Sequence, residues 1–176
     1  EDTIVDTVYL EEPENHFEEH VSSDLPLLLV VDDNADIRNY IEMNLSSLCR
    51  IVKAPNGSKG LETAMEIIPD IIISDVMMPE MDGLEMCRRL KLDERTSHIP
   101  VILLTARQSD ESRVEGYETG ADAYLTKPFS SAVLQAQVQN LLDQRQRLRE
   151  LFQKGTDIEI KKIAINTTDE AFLNKV

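Results

Sequence analysis

Five side chains, far apart in the sequence, have the makings of one reaction centre: Asp32, Asp33, Asp75, Thr105 and Lys127. Each follows a short, continuously apolar or mixed run. Leu27 to Val31 precedes the acid pair, and Ile71 to Ser74 precedes Asp75. Val101 to Leu104 precedes Thr105, and Ala123 to Thr126 precedes Lys127. An acid at the end of a buried apolar run is costly unless it is partnered or used. Asp75 has a bland alternative as a cap or turn residue, but Asp82 already stands where the next helix needs its cap. Asp75 is therefore read as the reactive group. A carboxylate can attack phosphorus and become an aspartyl phosphate. Three acids held together repel one another and call for a hard divalent cation such as Mg²⁺, which takes oxygen ligands and keeps several waters. Such a cation offsets charge on a transferring phosphoryl group, while a lysine and a hydroxyl hold its remaining oxygens.

Those residues meet only if the elements carrying them are arranged side by side. The apolar, β-branched runs read as strands buried on both faces, with a further short strand at Arg50 to Ala54. Between them lie helical patterns. Ile37, Ile41 and Leu45 are spaced by fours, with Asp33 or Asn34 as the cap. Leu61, Met65 and Ile68 form a second stripe, closed by Pro69. Leu84, Cys87 and Leu90 form a third. Another helix is predicted from about Asp110 to Glu118, with Val114 and Tyr117 inward, stopped by Gly120. The last is capped by Ser130 or Ser131 and runs through Leu134, Val138, Leu141 and Leu148 to about Phe152. Five alternations of strand and helix imply right-handed crossovers and a parallel sheet covered on both faces. In such sheets the C-terminal strand ends share one rim, where ligands bind. The five side chains converge there.

Composition narrows the partners. The 176 residues are 41% hydrophobic, enough for a core, and carry a net charge of −15 from 33 acidic and 18 basic side chains. That balance disfavours direct contact with nucleic acid, which needs basic surface. No apolar run approaches a membrane span and no signal peptide is visible. Cys49 and Cys87 fit no metal or disulfide spacing, so buried thiols in a cytoplasmic domain are expected. Residues 1–24 lack Lys and Arg and read as an acidic linker, with a short strand over 4–10. His16-Phe17-Glu18-Glu19-His20 matches the H-x-x-E-H peptidase pattern. It lacks the long helix and distant third ligand that the chemistry needs, so it is taken as incidental.

The segments at 28–34 (LLVVDDN), 69–85 (PDIIISDVMMPEMDGLE), 99–106 (IPVILLTA) and 120–129 (GADAYLTKPF) together resemble the receiver domain of two-component response regulators. The likeness covers about Leu25 to Leu142. It implies a flavodoxin-like, doubly wound α/β fold with strand order 2-1-3-4-5. It also implies that Asp75 takes a phosphoryl group from a kinase phosphohistidine, in the phosphotransfer domain of a histidine kinase. Asp33, Asp75 and the backbone carbonyl of Met77 would hold Mg²⁺ (or Mn²⁺) directly, with Asp32 assisting. Lys127, Thr105 and the backbone amide of Ala106 would take phosphoryl oxygens. Tyr124 matches the family's switch aromatic, which turns inward when Thr105 moves; from its own pattern it is a half-buried strand tyrosine. Met77 and Arg107 flank the site, and their bulk predicts slow loss of the phosphoryl group. Such a domain assists its own phosphorylation and dephosphorylation without being a conventional enzyme.

The ends suggest a longer parent. Leu134, Val138, Leu141, Arg145, Leu148 and Phe152 fit either a coiled-coil seam, and so a homodimer, or a core face that runs out into a linker. After Gly155 the spacing of Ile158, Ile160, Ile163 and Ile165 predicts extended structure, followed by a capping box at Thr167 to Glu170. The expected division is an acidic linker at 1–24, a receiver at 25–152, and a linker with the start of another segment at 153–176. The flanks are similar to those of hybrid histidine kinases that place a receiver before an AraC-type DNA-binding domain. Membrane attachment and DNA binding would then belong to the parent. A haloacid-dehalogenase reading fails because that class needs a second acid two residues after its nucleophile, where Met77 stands. A flavodoxin reading fails because Asp32 and Asp33 would repel a cofactor phosphate. A receiver acting only as an interaction module is disfavoured by the complete acid, threonine and lysine set.

Overall fold

The apolar runs do form strands, and the strands lie parallel in one five-stranded sheet. A computed structural model of the protein describes residues 24–106 and 118–173, the stretch 156–173 as backbone. In chain order the elements are β1 (Leu27–Val31), α1 (Ala35–Leu45), β2 (Arg50–Ala54), α2 (Gly57–Ile67), β3 (Ile71–Asp75), α3 (Gly83–Leu92), β4 (Val101–Thr105), β5 (Ala123–Thr126) and α4 (Ser131–Leu173). Strand order is β2-β1-β3-β4-β5, the flavodoxin-like order expected. It places β1 beside β3, with Val31 opposite Ser74, so the acid pair and Asp75 leave the sheet as neighbours. The expected strand over 4–10, the H-x-x-E-H stretch at 16–20, Arg107 and all but the last residue of the helix expected over 110–118 lie outside the described residues.

Alternation along the strands builds two cores. Successive residues point to opposite faces, so Leu29, Val31 and Ile72 join Met86, Cys87 and Leu90 on one side. Leu28, Val30, Ile71 and Ile73 join Ile41, Leu45, Leu134 and Val138 on the other. Each fully buried aliphatic side chain contributes roughly 1.5–3 kcal/mol, and both cores hold many. Cys49 and Cys87 are buried free thiols, and burial pushes the Cys49 thiol up to about 11. Asn34 caps α1, accepting the Asp36 N–H, and Asp82 caps α3, accepting the Glu85 N–H. Ser130 Oγ accepts the Val133 N–H at 3.2 Å and so begins α4.

Two sequence expectations need correction. The buried face of α2 is Gly57, Gly60 and Ala64 rather than Leu61, Met65 and Ile68. Leu61 is only partly buried, and Ile68 is 36% exposed in the left-handed cap position. The reason is close packing. A Cβ on Gly60 would stand 2.8 Å from both Val31 methyls, so small residues, not large apolar ones, mark the contact face. The second correction concerns the C-terminal stretch, which is not extended. Helix α4 continues through Gly155 to Leu173, including the isoleucines at 158–165. Adding a residue to an existing helix avoids the cost of nucleation, and here that outweighs the weak β preference of isoleucine.

Helix α4 changes surroundings along its length. Leu134 and Val138 are buried, and Leu141 and Leu142 pack on the same core. Arg145 then donates to the backbone carbonyls of Pro69 and Asp70. Beyond it Leu148, Leu151 and Phe152 are 56%, 65% and 74% exposed. The first half of the apolar stripe is thus a core face of the sheet domain itself.

Candidate functional site

The C-terminal rim of the sheet gathers the five side chains singled out from sequence. Asp32 follows β1 directly. Its N–H donates to Ala54 O at 3.2 Å on β2, and its Oδ1 accepts the Asn34 N–H at 2.8 Å. This local turn buries Asp32, at 1% exposure, and leaves Asp33 exposed. Asp75 is the last residue of β3 and is 7% exposed. The chain after it folds back tightly, with the Gly83 N–H donating to Val76 O at 2.9 Å. A Cβ on Gly83 would lie 2.1 Å from the Asp75 carbonyl oxygen, so only glycine permits α3 to start there.

Thr105 ends β4 and is buried, with exposed Ala106 next to it. The Lys127 N–H donates to Thr105 O at 2.6 Å, which fixes the chain just beyond β5 against the end of β4. A cis peptide joins Lys127 to Pro128. From there Lys127 Nζ reaches 3.3 Å from Asp75 Oδ1 and 3.5 Å from Asp32 Oδ2. One oxygen from each of Asp32, Asp33 and Asp75 lies within 4.8 Å of the others.

The electrostatics are unbalanced. Among the described residues, three carboxylates face one ammonium group. Burial, above all, raises the Asp32 carboxyl above its ordinary range, and the nearby Asp75 charge adds to this. The Asn34 N–H and Lys127 pull the other way. A cluster of hard oxygen donors with surplus negative charge fits a divalent cation of the Mg²⁺ type. Asp32, Asp33 and Asp75 are the side chains able to hold it.

The remaining expected site residues sit around this core. Met77, two residues past Asp75, has a side chain 57% exposed. Tyr124 lies opposite Leu103 on β5 and packs half-buried against the core on the α2–α3 side. Beside Lys127 an apolar groove of about 330 Å³ is lined by Ile37, Tyr40, Pro128 and Phe129. The Tyr40 and Phe129 rings are 6.1 Å apart, tilted at 53°.

Sequence reasoning missed one residue that touches this site. Arg38 Nη1 donates to the Asp32 backbone carbonyl at 2.6 Å. A faint clue existed, because a cation near the start of a helix opposes the helix dipole and so asks for a partner elsewhere.

With the geometry in hand, comparison with known proteins is direct. Residues 28–139 match the family model described as the response regulator receiver domain. The chain is 41% identical over 148 residues to Histidine kinase P4 of Formosa agariphila, covering 84% of this chain and 11% of that protein. It is 38% identical over 125 residues to the DNA-binding dual master transcriptional regulator RpaA of Synechocystis, covering 70% of this chain and 52% of the regulator. The chain therefore spans about half or less of these relatives. Among solved structures, the receiver domain of a signal transduction histidine kinase from Syntrophus aciditrophicus superposes with a TM-score of 0.63 at 36% identity. The match covers 67% of this chain and 90% of that one. Fold, rim geometry and sequence agree, and this chain belongs to the response regulator receiver family of two-component signalling.

Proposed function

We propose that this receiver is a phosphoacceptor switch whose acceptor is Asp75. The observation that carries the reading is the placement of the Asp75 carboxylate. It ends a fully buried strand, 3.3 Å from Lys127 Nζ and within the Asp32–Asp33 cluster. A carboxylate oxygen of Asp75 forms the new O–P bond as the P–N bond of a donor phosphohistidine breaks, and the imidazole leaves with the electron pair. Lys127 neutralises a phosphoryl oxygen, and the Thr105 hydroxyl and Ala106 N–H bind others. When bound, Mg²⁺ held by Asp32, Asp33, Asp75 and the Met77 carbonyl offsets charge on the phosphoryl group. The Met77 side chain, exposed beside the acceptor, hinders water and lengthens the life of the anhydride.

Phosphorylation adds about −1.5 to −2 charge at one point, and it acts only through contacts that differ between two states. Thr105 and Tyr124, on adjacent strands, are the couplers. The donor is a histidine-kinase phosphotransfer domain. Likeness over 84% of the chain to a histidine kinase supports a hybrid parent, and the flanking sequence alone suggests that such a parent carries an AraC-type domain and regulates transcription. The exposed apolar residues on α4 support pairing of two copies through that helix, with the body of the dimer outside nucleic acid and membrane. Among the described residues no helix is long and apolar enough to cross a membrane.

The test is incubation with acetyl phosphate and Mg²⁺, followed by intact mass and peptide mapping. One phosphoryl group on Asp75 is expected. A folded sample that gains none would leave an interaction module without phosphoacceptor chemistry.

A further inference from the structure

The acid pair needs more than a strand end to aim it. Asp32 and Asp33 sit in a turn of the chain between β1 and α1, and a turn can twist about its peptide units. Asp32 is nevertheless held at three atoms besides the Oδ2 that faces Lys127. Its N–H is held by Ala54 O and its Oδ1 by the Asn34 N–H. Its carbonyl, which belongs to the peptide joining it to Asp33, accepts from Arg38 Nη1 at 2.6 Å. Arg38 itself is anchored one turn into α1, where its N–H donates to Asn34 O at 3.2 Å. Asp33 is exposed, so its aim depends on the backbone of this turn, and Arg38 holds the peptide that sets it.

We propose that Arg38 is a positioning residue for cation binding, acting through the Asp32–Asp33 peptide rather than on the cation. The proposal rests on the phosphoacceptor reading of the rim. Two physical effects of Arg38 oppose each other, which makes the idea testable by sign. A guanidinium beside an acid cluster repels an incoming divalent cation, so removing a mere bystander tightens Mg²⁺ binding. Removing a group that orients ligands from outside the coordination sphere weakens binding, commonly by 10–100-fold. The hydrogen bond is short, part-buried and charge-assisted, whereas the repulsion acts over a longer distance and is partly screened by salt on the open side of Asp33. Positioning is therefore the larger effect.

The experiment is calorimetric titration of the full chain with Mg²⁺, without phosphodonor, for the wild type, Arg38→Met and Arg38→Lys. Arg38→Met keeps the apolar stem and removes both charge and donor. Its Mg²⁺ dissociation constant is expected to rise about tenfold. Arg38→Lys keeps the charge and one donor, and should recover part of the affinity. Metal-free melting curves accompany each titration, because a purely structural role would move melting and leave the affinity of the folded protein alone. Should Arg38→Met fail to fold, Arg38→Gln replaces it with the same expected direction. Binding as tight as wild type, or tighter, in the folded charge-free variant overturns the proposal. If the wild type itself takes up no Mg²⁺, the reading of the rim fails with it. If only the comparison of variants fails, that reading stands.

Discussion

Strand β3 carries an aspartate at each end, and the two live opposite lives. Asp70, just before the strand, is surrounded by donors. Its Oδ2 accepts the Leu27 N–H at 2.8 Å, and its Oδ1 faces Arg149 at 3.5 Å and Arg145 at 3.8 Å. Its own N–H and carbonyl are bonded to Leu27 O and Arg145. Asp75, five residues later, faces two further acids and, among the described residues, a single lysine. The sheet supplies the same kind of strand end to both. The difference lies in the charge around them. A carboxylate with its donors supplied by the fold is finished as a structural part. One set among like charges keeps its lone pairs for something that arrives from solution. Surplus negative charge on one rim and cations matched to acid on the other distinguish the proposed acceptor from a structural acid.

That contrast can be broken most sharply by removing charge at each end. Asp75→Asn should abolish phosphoryl incorporation from acetyl phosphate, read by intact mass, and leave a folded protein. Next in size is Lys127→Gln, expected to slow incorporation by about 10²-fold while Mg²⁺ binds more tightly, because the lysine cation set among three acids is gone. An unchanged rate would remove lysine from the mechanism. At the other rim, Asp70→Ala leaves the Leu27 N–H and two guanidinium groups short of an acceptor. It should cost about 1–3 kcal/mol in urea unfolding with the yield of phosphorylation unaffected. A folded Asp70→Ala protein that no longer accepts phosphate would show that the two rims are not separable.

Smaller effects sharpen the same picture. Arg145→Met deprives the Pro69 and Asp70 carbonyls of their donor, and a loss of about 1 kcal/mol without change in acceptor chemistry is expected. His98 stands near that rim. Burial, and then the charges of Arg145, Arg149 and Lys91, lower its pKa below the ordinary 6.5. The unfolded chain then binds the proton more readily than the fold. Stability should fall slightly as pH drops through about 6.5 and level off below the folded value. His98→Gln should flatten that dip, and Arg145→Met should shrink it by removing one of its causes. A dip of the same depth in both variants would place its origin elsewhere.

The two rims also differ in how far they could be read from sequence. Every side chain proposed for the chemistry ends a strand run or lies within two residues of one, so the parallel-sheet rule alone brought Asp32, Asp33, Asp75, Thr105 and Lys127 to one rim. The structural rim has no such grammar. Asp70 lies more than 70 positions from Arg145 and Arg149, and Arg145 looked like an intruder in an apolar seam. It is a helix-to-strand latch. Arg38 escaped notice for a related reason, since its partner is a backbone carbonyl, which leaves no mark on residue type. The α2 face was misjudged because apolar size was taken as the sign of burial where closeness demanded glycine and alanine. The isoleucines after Gly155 were misjudged because residue preference was weighed without the helix already running into them.

Helix α4 is 43 residues long, about 65 Å from end to end. Its base is bolted to β3 through Arg145. A rod of this kind conveys direction as well as distance. Each residue advances the azimuth by about 100°, so whatever rides on the far part of the helix is aimed by the count of residues separating it from the bolt. Lengthening the rod by one position would swing such cargo around the axis, while a whole heptad would return it close to its former heading.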